Sequence, residues 1–273
     1  MTIPAFQKHI LGWYAKNQRS MPWRQTRDPY KILVSEIMLQ QTQVSRVIPK
    51  YKEFLAAFPT VQALAKAPEK KLLKVWAGLG YWRRARFLKE TAKAVVKNHA
   101  GKFPKIPTEL IELPGIGPYT AGALSCFAFN NPQAFIDTNI RRVYLHFFFA
   151  DKKDVPDKEI LPIAQKAVWL KDPRTWHYAL FDYGATELKD KSINKRSRHY
   201  AKQSDFTGSF RSFRAYALKH LLTTPNNKMT QAELLDALED QIRQAEKDYS
   251  PQEIIDSLLK DKLIKQSKVH FFI

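Results

Sequence analysis

Two carboxylates stand in surroundings that set them apart from the charged surface. Glu36 lies in KILVSEIMLQQTQV (residues 31–44), where its helical neighbours would be Ile32, Leu33, Leu39 and Gln40. Three apolar neighbours disfavour the ionised form, which predicts a raised pKa and a carboxyl able to deliver a proton near neutral pH. Asp137 lies in AFIDTNIRRV, just before an apolar-periodic run at 139–149. As the N-cap of that helix it would accept backbone N–H bonds and feel the positive helix end, which predicts that it stays ionised. One carboxyl kept protonated and one kept charged is the division of labour that cleavage of a glycosidic bond requires. Each also has a plainer reading: Glu36 could pair with a core arginine, and Asp137 could merely cap its helix.

Between the two lies LPGIGPYTA, residues 113–121. Pro114 ends the run at 108–113, Gly115 and Gly117 are expected to adopt backbone angles closed to other residues, and Pro118 suits the first turn of a helix over 119–129. The product is a tight turn with bare amides at a helix N-terminus, which grips a phosphate oxygen without reading any base. An ordinary helix-joining turn is the alternative.

Charge points to the same partner. Of the 273 residues, 45 are Lys or Arg and 26 Asp or Glu, a net of +19 with a pI near 9.9. Such a field attracts polyanions, nucleic acid first among them; no amphipathic basic helix argues for a membrane surface. Residues 206–273 hold ten basic and nine acidic side chains, so nearly all of the excess lies in residues 1–205. One cysteine, Cys126, excludes an internal disulfide and any multi-cysteine metal site. No run is long enough to span a bilayer, and MTIPAFQKHILGWY lacks a signal-peptide layout, so the expectation is a cytoplasmic, nucleoid-associated protein.

The positioning elements read as helices almost throughout. Apolar residues recur at three- and four-residue spacings over 5–16, 30–45, 47–57, 60–66, 69–77, 82–98, 108–113, 119–129, 139–149, 157–169 and 174–185. A polar, basic stretch at 189–206 precedes a different pattern. Helices are expected at 210–222, 231–243 and 251–260, the last two opened by capping signals at Thr230/Glu233 and Ser250/Glu253. LIKQSKVHFFI then reads as two short strands. This tail is similar to a winged helix, with DNA contact and a structural or protein-contact role both open.

The segments SEIMLQQTQV, GLGYWRRAR, LPGIGPYTAGAL and IDTNIRRV resemble those of the helix–hairpin–helix (HhH-GPD) DNA glycosylases, most closely the MutY-type adenine DNA glycosylases, over about residues 5–188. The resemblance implies an all-α, two-subdomain helix–hairpin–helix body: 1–30 with 131–205, and 31–130. The winged-helix-like domain at 206–273 follows. It implies that Glu36 protonates a flipped adenine mispaired with 8-oxoguanine or guanine and later handles the water. Asp137 would stabilise the oxocarbenium-like sugar, supported by Asn139. Trp23 and Arg24 would line the base pocket. DNA contacts would come from the wedge Gln41, from Tyr81, Trp82 and Arg83 of the second probing loop, from Leu113, Gly115, Ile116 and Gly117 of the hairpin, and from Lys195, Arg196 and Arg198. Flipping is required because the reacting bond is inaccessible in a stacked duplex.

Tyr119 occupies the position where bifunctional relatives place a Schiff-base lysine, and a phenol cannot form that bond. The expected reaction is therefore hydrolysis without efficient strand cleavage, by a monomer acting on double-stranded DNA with a mispaired or damaged base. The positions aligned with the four [4Fe–4S] cysteines of most members are Leu188, Lys195, Arg198 and Ser204, so no cluster and no other cofactor or metal is expected. The tail stands where such enzymes carry a Nudix-like domain for 8-oxoguanine. The alternatives are a glycosylase for mismatched thymine, uracil or an alkylated purine, and a non-catalytic DNA-binding module.

Overall fold

A computed structural model describes residues 1–202 and 205–273; Ser204 lies outside the described residues. In chain order the helices are α1 (Ile3–Asn17), α2 (Pro29–Leu39), α3 (Val44–Ala57), α4 (Val61–Lys66), α5 (Glu69–Trp76), α6 (Arg83–Asn98), α7 (Pro107–Leu110), α8 (Pro118–Phe129), α9 (Thr138–Phe148), α10 (Asp157–Ala167) and α11 (Pro173–Asp182). A π-turn (Tyr183–Glu187) and a 3-10 segment (Lys191–Arg196) follow. The tail contains α12 (Phe210–Thr223), strand β1 (Lys228–Thr230), α13 (Gln231–Gln244), α14 (Pro251–Lys260), β2 (Lys265–Gln266) and β3 (His270–Phe272).

Most expected helices fall within a residue or two of these bounds. The apolar run at 30–45 does not remain one helix: α2 stops at Leu39, and Gln41 takes a left-handed φ of 55°. The polar QQTQ stretch offers no apolar face to continue packing, so the chain turns and α3 begins at Val44. In the tail, strand β3 sits between β1 and β2 in an antiparallel sheet, with Met229 opposite Phe271. β1 has only Met229 buried among its three residues, too short a stretch to display alternation in sequence. The capping box at Thr230 and Glu233 forms in both directions.

The described residues divide into two compact units, 1–37 with 102–202 and 38–101 with 205–273. This differs from the three-part division expected above. Residues 102–130 fall with the first unit because α8 packs on α11. The tail falls with 38–101 through the Asp261 carbonyl, which accepts from the Arg86 guanidinium, and through the Asp261 carboxylate, which meets Arg83 at 3.6 Å.

In the first unit, Phe6 of α1 meets Tyr144, Phe147, Phe148 and Trp176 in tilted and edge-on contacts. Phe135 stacks on His177 with centroids 4.2 Å apart, and Phe127 on Tyr178 at 4.3 Å. These stacks fix the chain two residues before Asp137. Buried Arg174 donates to the carbonyls of Phe127, Arg24 and Thr26, tying the end of α8 to the 24–26 turn. Behind α9, Gly184 of the π-turn approaches the backbone of Asn139 so closely that an added Cβ would stand 2.3 Å from the Asn139 carbonyl oxygen. The absence of a side chain there lets the π-turn seat against the first turn of α9. Gly184→Ala should therefore cost about 1–3 kcal/mol of stability through this overlap, measured by urea unfolding. An unchanged midpoint would show that the π-turn yields freely.

Candidate active site

α2 begins under the control of Asp28, whose Oδ1 accepts from the amide of Tyr30 at 2.9 Å. The helix then carries Glu36 inward among buried Ile32, Leu33 and Ile37, leaving it 5% exposed. α8 begins after Gly117, and its second residue, Tyr119, donates its phenolic O–H to Glu36 Oε2 at 2.7 Å. Burial raises the Glu36 pKa to about 7; the Tyr119 hydrogen bond opposes the rise, the charge of Asp137 adds to it and that of Arg24 opposes it. Tyr119 itself is held well above the ordinary phenol range, first by burial and then by the charges of Glu36 and Asp137, so it remains a neutral donor.

Asp137 caps α9 as expected. Its Oδ1 accepts from the amide of Ile140 at 2.7 Å and its Oδ2 from Asn139 Nδ2 at 3.1 Å. Its pKa nevertheless moves opposite to the sequence expectation: burial of the carboxyl raises it, and the bonds from Ile140 and Asn139 offset this only in part. The residue is half-buried overall, but the carboxyl is its covered end. A cap signal is visible in sequence, whereas the burial of the capping carboxyl is not. Glu36, Asp137, Asn139 and Tyr119 thus come together in one unit.

Of the base-pocket candidates, Arg24 acts on Glu36 through its charge. Trp23 is buried in a 3-10 turn, Pro22–Gln25. Arg24 bonds Asp182 through both terminal nitrogens, at 2.7 and 2.8 Å, and lies 4.5 Å from the centroid of the Tyr178 ring. Arg19 grips the same carboxylate. Burial alone would raise Asp182, but the Arg24 hydrogen bond and charge, aided by Arg19, hold it below the ordinary carboxylate range. The Nε of Arg24 is buried and has no hydrogen-bond partner among the described residues. Sequence reading missed Asp182, although the signal that flagged Glu36, a lone carboxylate in an apolar helical run (ALFDYG), is present there too.

At the hairpin, Gly115 has the expected positive φ of 78°. Gly117 does not: its φ is −94°, an angle open to any residue. Packing does not require a glycine there either: a Cβ would meet nothing within 4 Å, and the start of α8 beside it has no side-chain cap. Leu113 and Ile116 are buried, so their side chains anchor the turn and only their main chain is available to a phosphate.

In the second unit, Gln41 is exposed and Tyr81 half-buried, both with left-handed backbone, φ 55° and 45°. Such angles are costly for these residues and mark an imposed conformation. The imposing group is Arg84, which was not singled out from sequence. Its buried guanidinium donates to the carbonyls of Met38, Gln40, Leu79 and Gly80 and to Thr42 Oγ1, so one side chain fastens both loops. Trp82 is buried and serves packing rather than the expected surface contact, while the Arg83 side chain is largely exposed.

Around 189–202, Lys195 is exposed and Arg198 pairs with Asp154 at 2.5 Å. Arg196 spends its guanidinium on the carbonyls of Leu145, Phe149 and Ala150, closing the end of α9. Of the cluster-aligned positions, Leu188 is buried and apolar and Lys195 and Arg198 carry no thiolate, so these residues do not fit an iron–sulfur cluster. Ordinary bonds hold the segment instead: Val155 and Ser197 form an isolated bridge, and Arg142 donates to Asn194 and to the Gly184 carbonyl. Among the described residues no group of three or more His, Cys, Asp or Glu could hold a metal, and no helix is long and apolar enough to cross a membrane.

Helices meeting at a glycine hairpin, with Glu36 and Asp137 in the same unit, form a helix–hairpin–helix scaffold, and comparison with known proteins assigns its family. The model of the HhH-GPD superfamily base excision DNA repair proteins matches residues 34–168. A thermostable thymine-DNA glycosylase superposes with a TM-score of 0.64 at 30% identity, over 69% of this chain and 89% of that one. The chain belongs to the HhH-GPD superfamily. An adenine DNA glycosylase of Buchnera aphidicola is 39% identical over 68% of this chain and 53% of its own length. The human adenine DNA glycosylase is 36% identical over 67% and 36%. The chain therefore spans about half or less of the length of these curated relatives.

The Glu36 environment has a consequence for folding. Its pKa near 7 in the folded state exceeds the ordinary 4.5, so stability falls as pH rises through that window and the ionised carboxylate is penalised above it. Glu36→Gln cannot ionise and keeps an acceptor for Tyr119. It should match the wild type at pH 4 and exceed it by about 3 kcal/mol at pH 8 in urea unfolding. Equal stability at both pH values would show that Glu36 is not strained by burial.

Proposed function

We propose that the chain is a monofunctional DNA glycosylase that hydrolyses the N-glycosidic bond of adenine mispaired with 8-oxoguanine or guanine. It would act as a monomer on duplex DNA, in the cytoplasm at the nucleoid, and without an iron–sulfur cluster. The observation that carries this reading is the Glu36–Tyr119–Asp137 arrangement. A carboxyl with a pKa near 7 is half protonated at neutral pH and therefore a competent acid. Protonating a ring nitrogen of a flipped purine turns the base into a neutral leaving group as positive charge develops on the sugar. Asp137, fixed by Ile140 and Asn139, supplies the negative charge beside that centre. The charge of Asp137 helps to raise Glu36 and so favours the proton on it. Once the base has left, ionised Glu36 accepts a proton from the attacking water.

The remaining residues fit the same scheme. Trp23 is buried in the turn that carries Arg24, and Arg24, held by Asp182, acts on Glu36 through its charge. Tyr119 offers no amine for a Schiff base, which favours hydrolysis alone. The excess positive charge and the open start of α8 suit the phosphate backbone. Support for a chain without a cluster is the single cysteine, which cannot supply the four thiolates. Support for adenine over thymine is the acid itself, together with the 39% and 36% identity to adenine DNA glycosylases. The similarity to a thymine-DNA glycosylase keeps thymine as the second reading.

Duplexes carrying A·8-oxoguanine, A·G, T·G, U·G or an alkylated purine, treated with enzyme and then alkali, separate the readings. Strand breaks are expected at the two adenine mispairs, and only after alkali. Intact adenine duplexes alongside processed T·G would establish the second reading. In the same assay Glu36→Gln should lose at least about a hundredfold in turnover while retaining DNA binding.

A further inference from the structure

The tail touches the loop that carries Tyr81. Arg211, in the first turn of α12, donates to the Tyr81 hydroxyl, and its guanidinium lies 5.3 Å from the centroid of that ring. Arg84 lies over the same ring at the same distance while holding the loop's carbonyls. The tail is itself anchored for this contact. Ser209 caps α12, Arg214 one turn along pairs with Asp261 at 2.5 Å, and the Asp261 carbonyl accepts from Arg86 on α6. Arg211 therefore projects from a helix fixed against the element that follows the Tyr81 loop. Gly78, Gly80 and Tyr81 all have positive φ, so the loop holds an uncommon backbone conformation that such contacts stabilise.

We propose that Arg211 is a positioning residue for Tyr81, and that the tail thereby completes the loop that enters the DNA beside the vacated base. The inference rests on the reading above that Tyr81 faces DNA. An aromatic side chain that must insert into a base stack loses rotamer freedom on doing so; a partner that fixes its pose beforehand removes part of that cost. A guanidinium does this in two ways, by a hydrogen bond to the phenol oxygen and by attraction to the ring face. The assignment gives the nearly neutral tail a role in recognition that does not depend on its net charge.

A double-mutant cycle tests the coupling without requiring base excision. Binding is measured for a duplex containing a tetrahydrofuran abasic-site analogue and for the same duplex undamaged, using full-length wild type, Arg211→Ala, Tyr81→Ala and the double variant. Each single variant is expected to lose about tenfold in the damaged-to-undamaged ratio, the size of one partly desolvated cation–π contact. The double variant should be no worse than Tyr81→Ala alone. Tyr81→Phe, which keeps the ring and removes only the hydroxyl, should fall between wild type and Arg211→Ala, and Arg211→Lys should restore part of the ratio. Additive losses, or an unchanged ratio in Arg211→Ala, overturn the inference. If Tyr81→Ala itself leaves the ratio unchanged, Tyr81 does not probe DNA and the inference falls with it. Failure of wild type to excise adenine would instead contradict only the substrate assignment.

Discussion

A carboxyl removed from water and given a single neutral donor is the constraint on which the first unit depends. Glu36 accepts from Tyr119, lies among buried Ile32, Leu33 and Ile37, and feels the charges of Asp137 and Arg24. Burial of a carboxylate under those conditions is unfavourable, and the chain tolerates it because the group can take up a proton. The second carboxyl is treated differently. Asp137 is also buried but receives an amide and a side-chain donor, so its ionised form is better supported. The difference in donor supply is what the proposed division into an acid and a counter-charge rests on.

The surrounding structure maintains that asymmetry. Asp28 starts α2, Gly117 leaves the beginning of α8 open, and the stacks around Phe135 and Phe127 set the approach to α9. Gly184 allows the π-turn to seat against Asn139, and the same segment carries Asp182, the anchor of Arg24, at its threshold. Arg84 plays the corresponding part in the second unit, where its donors fasten the strained loops of Gln41 and Tyr81. Both units thus use a buried arginine, Arg174 in the first and Arg84 in the second, donating to main-chain carbonyls to hold short irregular segments.

Much of this was legible in the sequence. The helices follow from apolar spacing, the cap at Asp137 from its place before a helical run, and the raised Glu36 from its neighbours at three and four residues. What was not legible depends on residues distant in the chain. The raised Asp137 pKa reflects burial by elements that no local pattern reveals. Gly117 looked like a conformational glycine, yet neither its backbone angle nor its surroundings demand one, because a glycine's identity does not reveal its angle. Arg84 was not singled out and Arg196 was expected to contact DNA, yet both donate to main-chain carbonyls, which carry no sequence signal. Strand β1 escaped because three residues cannot show a period.

The central claim is that Glu36 retains its proton near neutral pH because it is buried. The direct measurement is a carbon-13 NMR titration of the glutamate side-chain carboxyls, with Glu36 assigned by the resonance lost in Glu36→Gln. The account predicts a midpoint near 7 for that resonance. A midpoint at the ordinary value near 4.5 would contradict it.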